Sequence, residues 1–308
     1  MKKILVAYDG TPGAEAALKE IIHAGFPQQA EAKVFTAADV WLPPSTPEGK
    51  QSDDPHYVAS HEKATEALRE AGRIAMEGAR RVHELFPGWN VSNGAQADSP
   101  AWGILAEAKR WGADIVVIGS HGRNPLEKFF LGSISFKVAA EAECSVRVTR
   151  PREHTGRAMQ VMVAIDGSAD SQRAAEEVLE RQWPAGTEIQ LVSVIDEKVK
   201  TSFFRFPSQG STAPDAHAPE SLKAVLEQLR ARFTERQITA HTHIFEGDPK
   251  NAMLRHAAKS GIDSIFLGAR GIEHGNRLYL GTVASAICTR AHCSVEIVRR
   301  GAMRQGGQ

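Results

Sequence analysis

Ala113-Asp114-Ile115-Val116-Val117-Ile118-Gly119-Ser120-His121-Gly122 decides how this chain is read, because Ile262-Asp263-Ser264-Ile265-Phe266-Leu267-Gly268-Ala269-Arg270-Gly271 repeats it 149 positions later. The same offset carries Leu131-Gly132-Ser133 onto Leu280-Gly281-Thr282, and Cys144-Ser145-Val146 onto Cys293-Ser294-Val295. A short unbroken apolar run such as Ile115 to Ile118 suits a parallel strand covered on both faces. Its recurrence marks a duplicated unit.

The starts of the two copies also match. Ile4-Leu5-Val6-Ala7-Tyr8-Asp9-Gly10-Thr11 pairs with Val161-Met162-Val163-Ala164-Ile165-Asp166-Gly167-Ser168 at an offset of 157, so the first copy holds eight extra residues before its glycine motif. The Pro-rich stretch Trp41 to Pro55 is the natural place for them, and Lys198 to Pro219 is its counterpart. Both read as connectors, with a mobile cover over a site as the alternative. The polar segment 151–157 reads as a linker, so the expected units are 1–150 and 158–300, followed by a frayed tail over 301–308.

Each copy alternates strands and helices. The first reads as strand 2–8, helix 12–25, strand 32–38, helix 57–86, strand 89–96, helix 100–111, strand 114–118, helix 133–143 and strand 145–149. The second reads as strand 159–165, helix 169–182, strand 187–195, helix 218–236, strand 240–245, helix 249–260, strand 263–267, helix 282–291 and strand 294–298. In the first helix Ala14, Leu18, Ile21 and Ile22 share one face at helical spacing. Pro100 and Pro249 stand at helix starts, where a missing N–H costs little. The expected fold is α/β: two tandem doubly wound domains, each a five-stranded parallel sheet of order 3-2-1-4-5 with helices on both faces.

The chemistry-bearing spacing is Gly119-x2-Gly122-x9-Gly132-Ser133, repeated as Gly268-x2-Gly271-x9-Gly281-Thr282. Each begins where a buried strand ends and finishes where a helix begins. Glycine admits a close ligand because no Cβ intervenes. Ser133 and Thr282 suit helix caps, and a helix N-terminus is a natural phosphate cradle. Ser135 places a second hydroxyl beside it. In a doubly wound sheet ligands gather where strand order reverses. That places Asp9-Gly10-Thr11 opposite the Gly119 bend, and Ala164 and Asp166-Gly167-Ser168 opposite the Gly268 bend. Asp9 and Asp166 could accept hydrogen bonds from a ribose or an adenine amino group, or could merely serve the following helix. Arg123, Lys128, Arg270 and Arg277 could screen phosphate charge or be ordinary solvated side chains.

These residues resemble the universal stress protein family, over nearly the whole chain and as two tandem copies. The resemblance implies an ATP site in each half. Its acidic residue falls on Asp9 and Asp166. Its phosphate loop falls on Gly119, Gly122, Gly132, Ser133, Ile134 and Ser135, and on Gly268, Gly271, Gly281, Thr282, Val283 and Ala284. Its adenine-lining position falls near Ala37 and Val194. ATP is the implied ligand, with AMP as a variant and Mg2+ accompanying the nucleotide. Ala284 departs from the family by lacking a hydroxyl, so the second site is expected to hold phosphates less well. Ser145 and Ser294 stand where the family commonly has proline.

Composition narrows the alternatives. The 37 basic and 37 acidic residues cancel, which gives no overall field toward nucleic acid or an anionic membrane. Three cysteines do not make a disulfide framework and fit a reducing cytoplasm. Walker A, nucleophile-elbow and zinc-protease patterns are absent from the sequence, and His241 with His243 lacks further ligands at metal-binding spacing. The expected role is an ATP-binding protein of stress response or regulation rather than an enzyme. A slow ATP hydrolase is one alternative. Another is a ligand-free scaffold in which Val146-Arg147-Val148 pairs with Val295-Glu296-Ile297 inside the chain, with homodimerisation as a further option.

Overall fold

The computed structural model describes residues 1–40, 55–120, 131–151, 156–196, 219–271 and 280–299. Both connectors, most of the linker, the tail, and the site residues Gly122 and Arg123 with Lys128 and Arg277 lie wholly or largely outside these. The first half runs β1 (Lys2–Ala7), α1 (Pro12–Ile21), β2 (Ala30–Ala38), α2 (Pro55–Leu85), β3 (Asn90–Ala97), α3 (Pro100–Trp111), β4 (Ile115–Gly119), α4 (Ser133–Glu141) and β5 (Ser145–Thr149). The second runs β6 (Gln160–Ala164), α5 (Ala169–Leu179), β7 (Glu188–Ile195), α6 (Pro219–Glu235), β8 (Thr239–Glu246), α7 (Pro249–Lys259), β9 (Ser264–Gly268), α8 (Thr282–Arg290) and β10 (Ser294–Val298).

The ten strands form one sheet of order β3-β2-β1-β4-β5-β10-β9-β6-β7-β8. Each half therefore has the order 3-2-1-4-5, and strands β1 and β4 (β6 and β9 in the second copy) are parallel neighbours at the switch point. Among the described residues the one antiparallel pairing is central: β5 against β10, with Arg147 opposite Glu296 and Val148 opposite Val295.

Strand alternation separates two layers at this seam. Val146, Val148, Val295 and Ile297 face a core that runs continuously through both halves. The opposite face carries two separate cores, one per half. Between those cores lie the buried Arg147, Glu296 and Arg181. Arg147 donates to Ser264 Oγ at 3.1 Å and to Glu296 at 3.3 Å. Arg181 reaches Glu296 as well and donates to the Ala24 carbonyl of the first half at 2.8 Å. Burial holds the Arg147 guanidinium below its usual range, against the opposing pull of Glu296.

Ser145 and Ser294 have a reciprocal role. The Arg299 amide donates to Ser145 Oγ at 3.1 Å and the Arg150 amide to Ser294 Oγ at 3.0 Å. Each arginine then crosses the seam to the other half's last helix. Arg150 donates to the carbonyls of Cys288 and Cys293 at 2.6 and 3.1 Å. Arg299 donates to Ala139 at 2.6 Å. A cation on the last carbonyls of a helix satisfies groups that have no partner within it. A proline at 145 or 294 would offer no such acceptor.

The first helix ends earlier than its periodicity predicts. After Ile21 the chain tightens into a 3-10 turn over Ile22–Ala24 and stops at Gly25, which has φ 66°. Ala14, Leu18 and Ile21 are buried, whereas Ile22 is turned outward and exposed. A side chain on Gly25 would also press on Arg181 and Trp183 at 3.0 and 3.1 Å, so this turn is shaped by contact across the seam.

Candidate nucleotide site

The two candidate sites open at the carboxyl ends of β1/β4 and β6/β9. Among the described residues, each glycine bend is pinched at its neck by a backbone hydrogen bond: Gly132 N–H to Ser120 O at 2.9 Å, and Gly281 N–H to Ala269 O at 2.8 Å. The helix that follows begins without a side-chain cap. Gly132 and Gly281, not Ser133 and Thr282, occupy the cap positions of α4 and α8. Ser133 and Thr282 are instead first residues of their helices and are exposed, as is Ile134, while Val283 is half-buried. The uncapped helix starts leave backbone N–H groups directed out of the bend, an arrangement suited to an anion.

The glycines differ in what the protein itself asks of them. A methyl group on Gly119 would lie 3.4 Å from the Gly13 carbonyl, and one on Gly132 would lie 3.4 Å from the Ser120 carbonyl. Those are ordinary contacts, and Gly132 has φ −61°, open to any residue. The fold alone therefore gives no reason for glycine at either position. In the second half a methyl group on Gly281 would also be in ordinary contact, 3.4 Å from the Ala269 carbonyl. Gly268 is different: a methyl group there would come within 2.6 Å of the Asp170 backbone and Cβ.

The acidic strand ends brace the next helix, and Asp166 also faces its bend. Asp9 Oδ1 accepts from the Thr11 amide at 3.1 Å and the Thr11 hydroxyl at 2.6 Å. Thr11 in turn caps α1 through the Ala14 amide at 3.2 Å. Asp9 is exposed, and among the described residues its Oδ2 takes no hydrogen bond. Asp166 Oδ1 accepts from the Ser168 amide at 2.9 Å, and Ser168 caps α5 through Ser171. Asp166 Oδ2 would touch a methyl group on Gly271 at 2.9 Å, which places this carboxylate against the second bend. Gly10 and Gly167 take φ 73° and 84° in these turns, and Ala164 ends β6.

Ser135 turns inward. It is buried, and its hydroxyl donates to the Gly119 carbonyl at 2.7 Å, tying α4 to the end of β4. Ala284, its counterpart, is buried without that tie. Ala37 and Val194 lie near the ends of β2 and β7 and are half-buried against the shared core; a side chain on Gly103 of α3 would press on Ala37 at 3.2 Å.

Sequence reading missed Asp170. This residue is buried at the start of α5 and accepts from Arg270 Nε at 3.0 Å and more distantly from the same guanidinium at 3.4 Å. Arg173 also pairs with it. The readable signal was the offset of 157, which aligns Asp170 with Gly13.

Other reactive side chains have structural surroundings. The cysteines are buried, and burial pushes their thiols up to about 11 at Cys144 and Cys288 and about 12 at Cys293, far from thiolate chemistry at neutral pH. His241 points near Glu188, at 3.9 Å. His243 packs on His256, their ring centroids 4.8 Å apart.

Two doubly wound α/β units, each with a glycine bend and an acidic strand end at its switch point, define a tandem α/β architecture. The chain belongs to the universal stress protein family, whose signature it matches over residues 1–150 and again over 158–299. Universal stress protein MJ0531 of Methanocaldococcus jannaschii is 27% identical over 142 residues, covering 46% of this chain and 82% of that protein. Universal stress protein YxiE of Bacillus subtilis is 29% identical over 153 residues, covering 46% and 98%. Among solved structures, a universal stress protein from Archaeoglobus fulgidus aligns over 97% of this chain and 96% of its own, with a TM-score of 0.63 and 20% identity. This last likeness shows the tandem fold.

Proposed function

We propose that this universal stress protein binds ATP, or the related AMP, at the first-half switch point and acts through the bound state in stress response or regulation. The adenine would lie toward Ala37, the ribose toward Asp9, and the phosphates on Gly119, Gly132 and the start of α4 with Ser133 and Ile134. Gly122 and Arg123 of the same motif, outside the described residues, complete the set by sequence. Mg2+ would accompany the phosphates. The reading assigns binding and not turnover.

One observation carries it. Gly119 and Gly132 each have room for a Cβ among the described residues, which fits space kept for something else. Family membership and the uncapped α4 start support the same reading.

The test is a thermal-shift and calorimetric titration with ATP. Saturation at about 100 times the dissociation constant is expected to stabilise the chain by about 2.7 kcal/mol. Gly132→Ala is expected to leave the fold intact and weaken ATP by about tenfold or more, since a methyl group tolerated by the protein would crowd a phosphate. Absence of binding at millimolar ATP would remove the proposal and favour the ligand-free scaffold, for which the continuous ten-stranded sheet is the supporting observation.

A further inference from the structure

We propose that the chain carries a single nucleotide, in its first half, because the second bend is closed to a triphosphate by an internal carboxylate–guanidinium pair, Asp170 with Arg270. This inference rests on the nucleotide reading above and specifies which of the two copies performs it.

The two switch points share a backbone plan and differ in what fills them. In the first half the start of α1 brings Gly13, with no side chain, to the end of β4, and its carbonyl stands 3.4 Å from a methyl position on Gly119. In the second half the same place holds Asp170, whose backbone closes to within 2.6 Å of the corresponding position on Gly268. The start of α5 thus sits tighter on β9 than α1 does on β4. Gly268 is explained by that packing, with no ligand required.

The Asp170 carboxylate then spans the mouth. It takes the Arg270 guanidinium from the bend itself, and Arg173 from α5. The Arg270 backbone lies beside the α8 start: a methyl position on Gly281 is 3.6 Å from Arg270 Cα and 3.8 Å from the Gly271 amide. One ion pair, its carboxylate buried and its guanidinium half-buried, therefore bridges the two walls between which phosphates would lie. Asp166 adds a second carboxylate against Gly271. A phosphate entering here would meet the Asp166 carboxylate at short range, and the arginine that could receive it is already held by Asp170. The positive end of α5 is also occupied by Asp170 itself. No comparable carboxylate stands at Gly13, and Asp9 faces solvent.

The test is equilibrium dialysis of the full chain with radiolabelled ATP and Mg2+, read as sites per chain. One site is expected. Gly132→Ala should weaken it by about tenfold or more, while the matching Gly281→Ala, equally tolerated by the fold, should leave affinity within about twofold. Asp170→Gly, which recreates the first-half residue and frees Arg270, should raise the count to two. Two sites in the unmodified chain, or loss of binding in Gly281→Ala but not in Gly132→Ala, would overturn the inference and leave ATP binding standing. A folded Asp170→Gly chain that still binds one ATP would also overturn it. No binding by the unmodified chain would instead overturn the underlying nucleotide reading. If Asp170→Gly does not fold, the two alanine variants decide the matter alone.

Discussion

The two halves of this molecule are near copies in backbone and opposites at the positions where they matter most to each other. Arg147 sits in the seam strand of the first half, and Glu296 holds the equivalent place in the second. Lys33 of β2 pairs with Glu107 of α3 at 2.7 Å, whereas the equivalent residues of the second half, Gln190 and His256, share a hydrogen bond at 2.6 Å. Ser135 ties its helix to β4 and Ala284 has no hydroxyl to do so. Duplication therefore supplied two scaffolds, and substitution at paired positions made them complementary at the seam and unequal elsewhere. A pairing of the first half with a second copy of itself would bring Arg147 against Arg147. Within the chain the same register brings opposite charges together.

The seam offers the largest effect. Glu296→Ala would leave the buried Arg147 without its carboxylate, while Arg181 keeps Glu177, and is expected to cost about 3–5 kcal/mol. Arg147→Ala should cost less, because Arg181 still holds Glu296. The exchange Arg147→Glu with Glu296→Arg should recover part of the loss of either single reversal. Urea unfolding measures all of these. Equal and small effects of the two alanine variants would contradict the network described here.

The helix ties come next. Ser135→Ala removes a buried hydrogen bond to the Gly119 carbonyl, which should cost about 1 kcal/mol. Ala284→Ser is expected to be near neutral, because a new hydroxyl must be desolvated before it gains a partner. Thermal unfolding of the two variants compares them directly, and a loss at Ala284→Ser equal to that at Ser135→Ala would erase the distinction.

The smallest effect is a pH dependence confined to the second half. Burial, then the neighbouring His243 and Lys259, holds the His256 imidazole below its usual range; burial and His241 do the same to His243. A histidine that is harder to protonate when folded takes up protons on unfolding. Its stabilisation is present above the unfolded value of about 6.5 and is lost as pH falls below it. Both rings are half-buried and within reach of solvent, so the effect should be modest. Unfolding between pH 7 and pH 5 should lose part of its slope in His256→Asn. An unchanged slope would show that other groups set it.

Most strands and helices were legible in the sequence to within a few residues, because period and punctuation are local signals. The 3-10 ending of α1 was not, since it depends on Arg181 and Trp183 packing on Gly25 from the other half. The glycine bends and their acidic strand ends were legible as motifs. The cap positions were off by one: hydroxyls are common caps, yet Gly132 and Gly281 take that role. The inward turn of Ser135 was hidden for a related reason, because sequence spacing places a hydroxyl near a site without saying which way it faces. Asp170 was overlooked because attention fell on residues shared by the two copies, whereas its meaning lies in the mismatch with Gly13.

A crystal structure of the chain grown with ATP and Mg2+ tests the central claim most directly. The account predicts nucleotide density between the ends of β1 and β4, with phosphates at Gly132 and the start of α4, and an intact Asp170–Arg270 pair in the second half. An empty first bend, or phosphates seated at Gly281 in place of that pair, would contradict it.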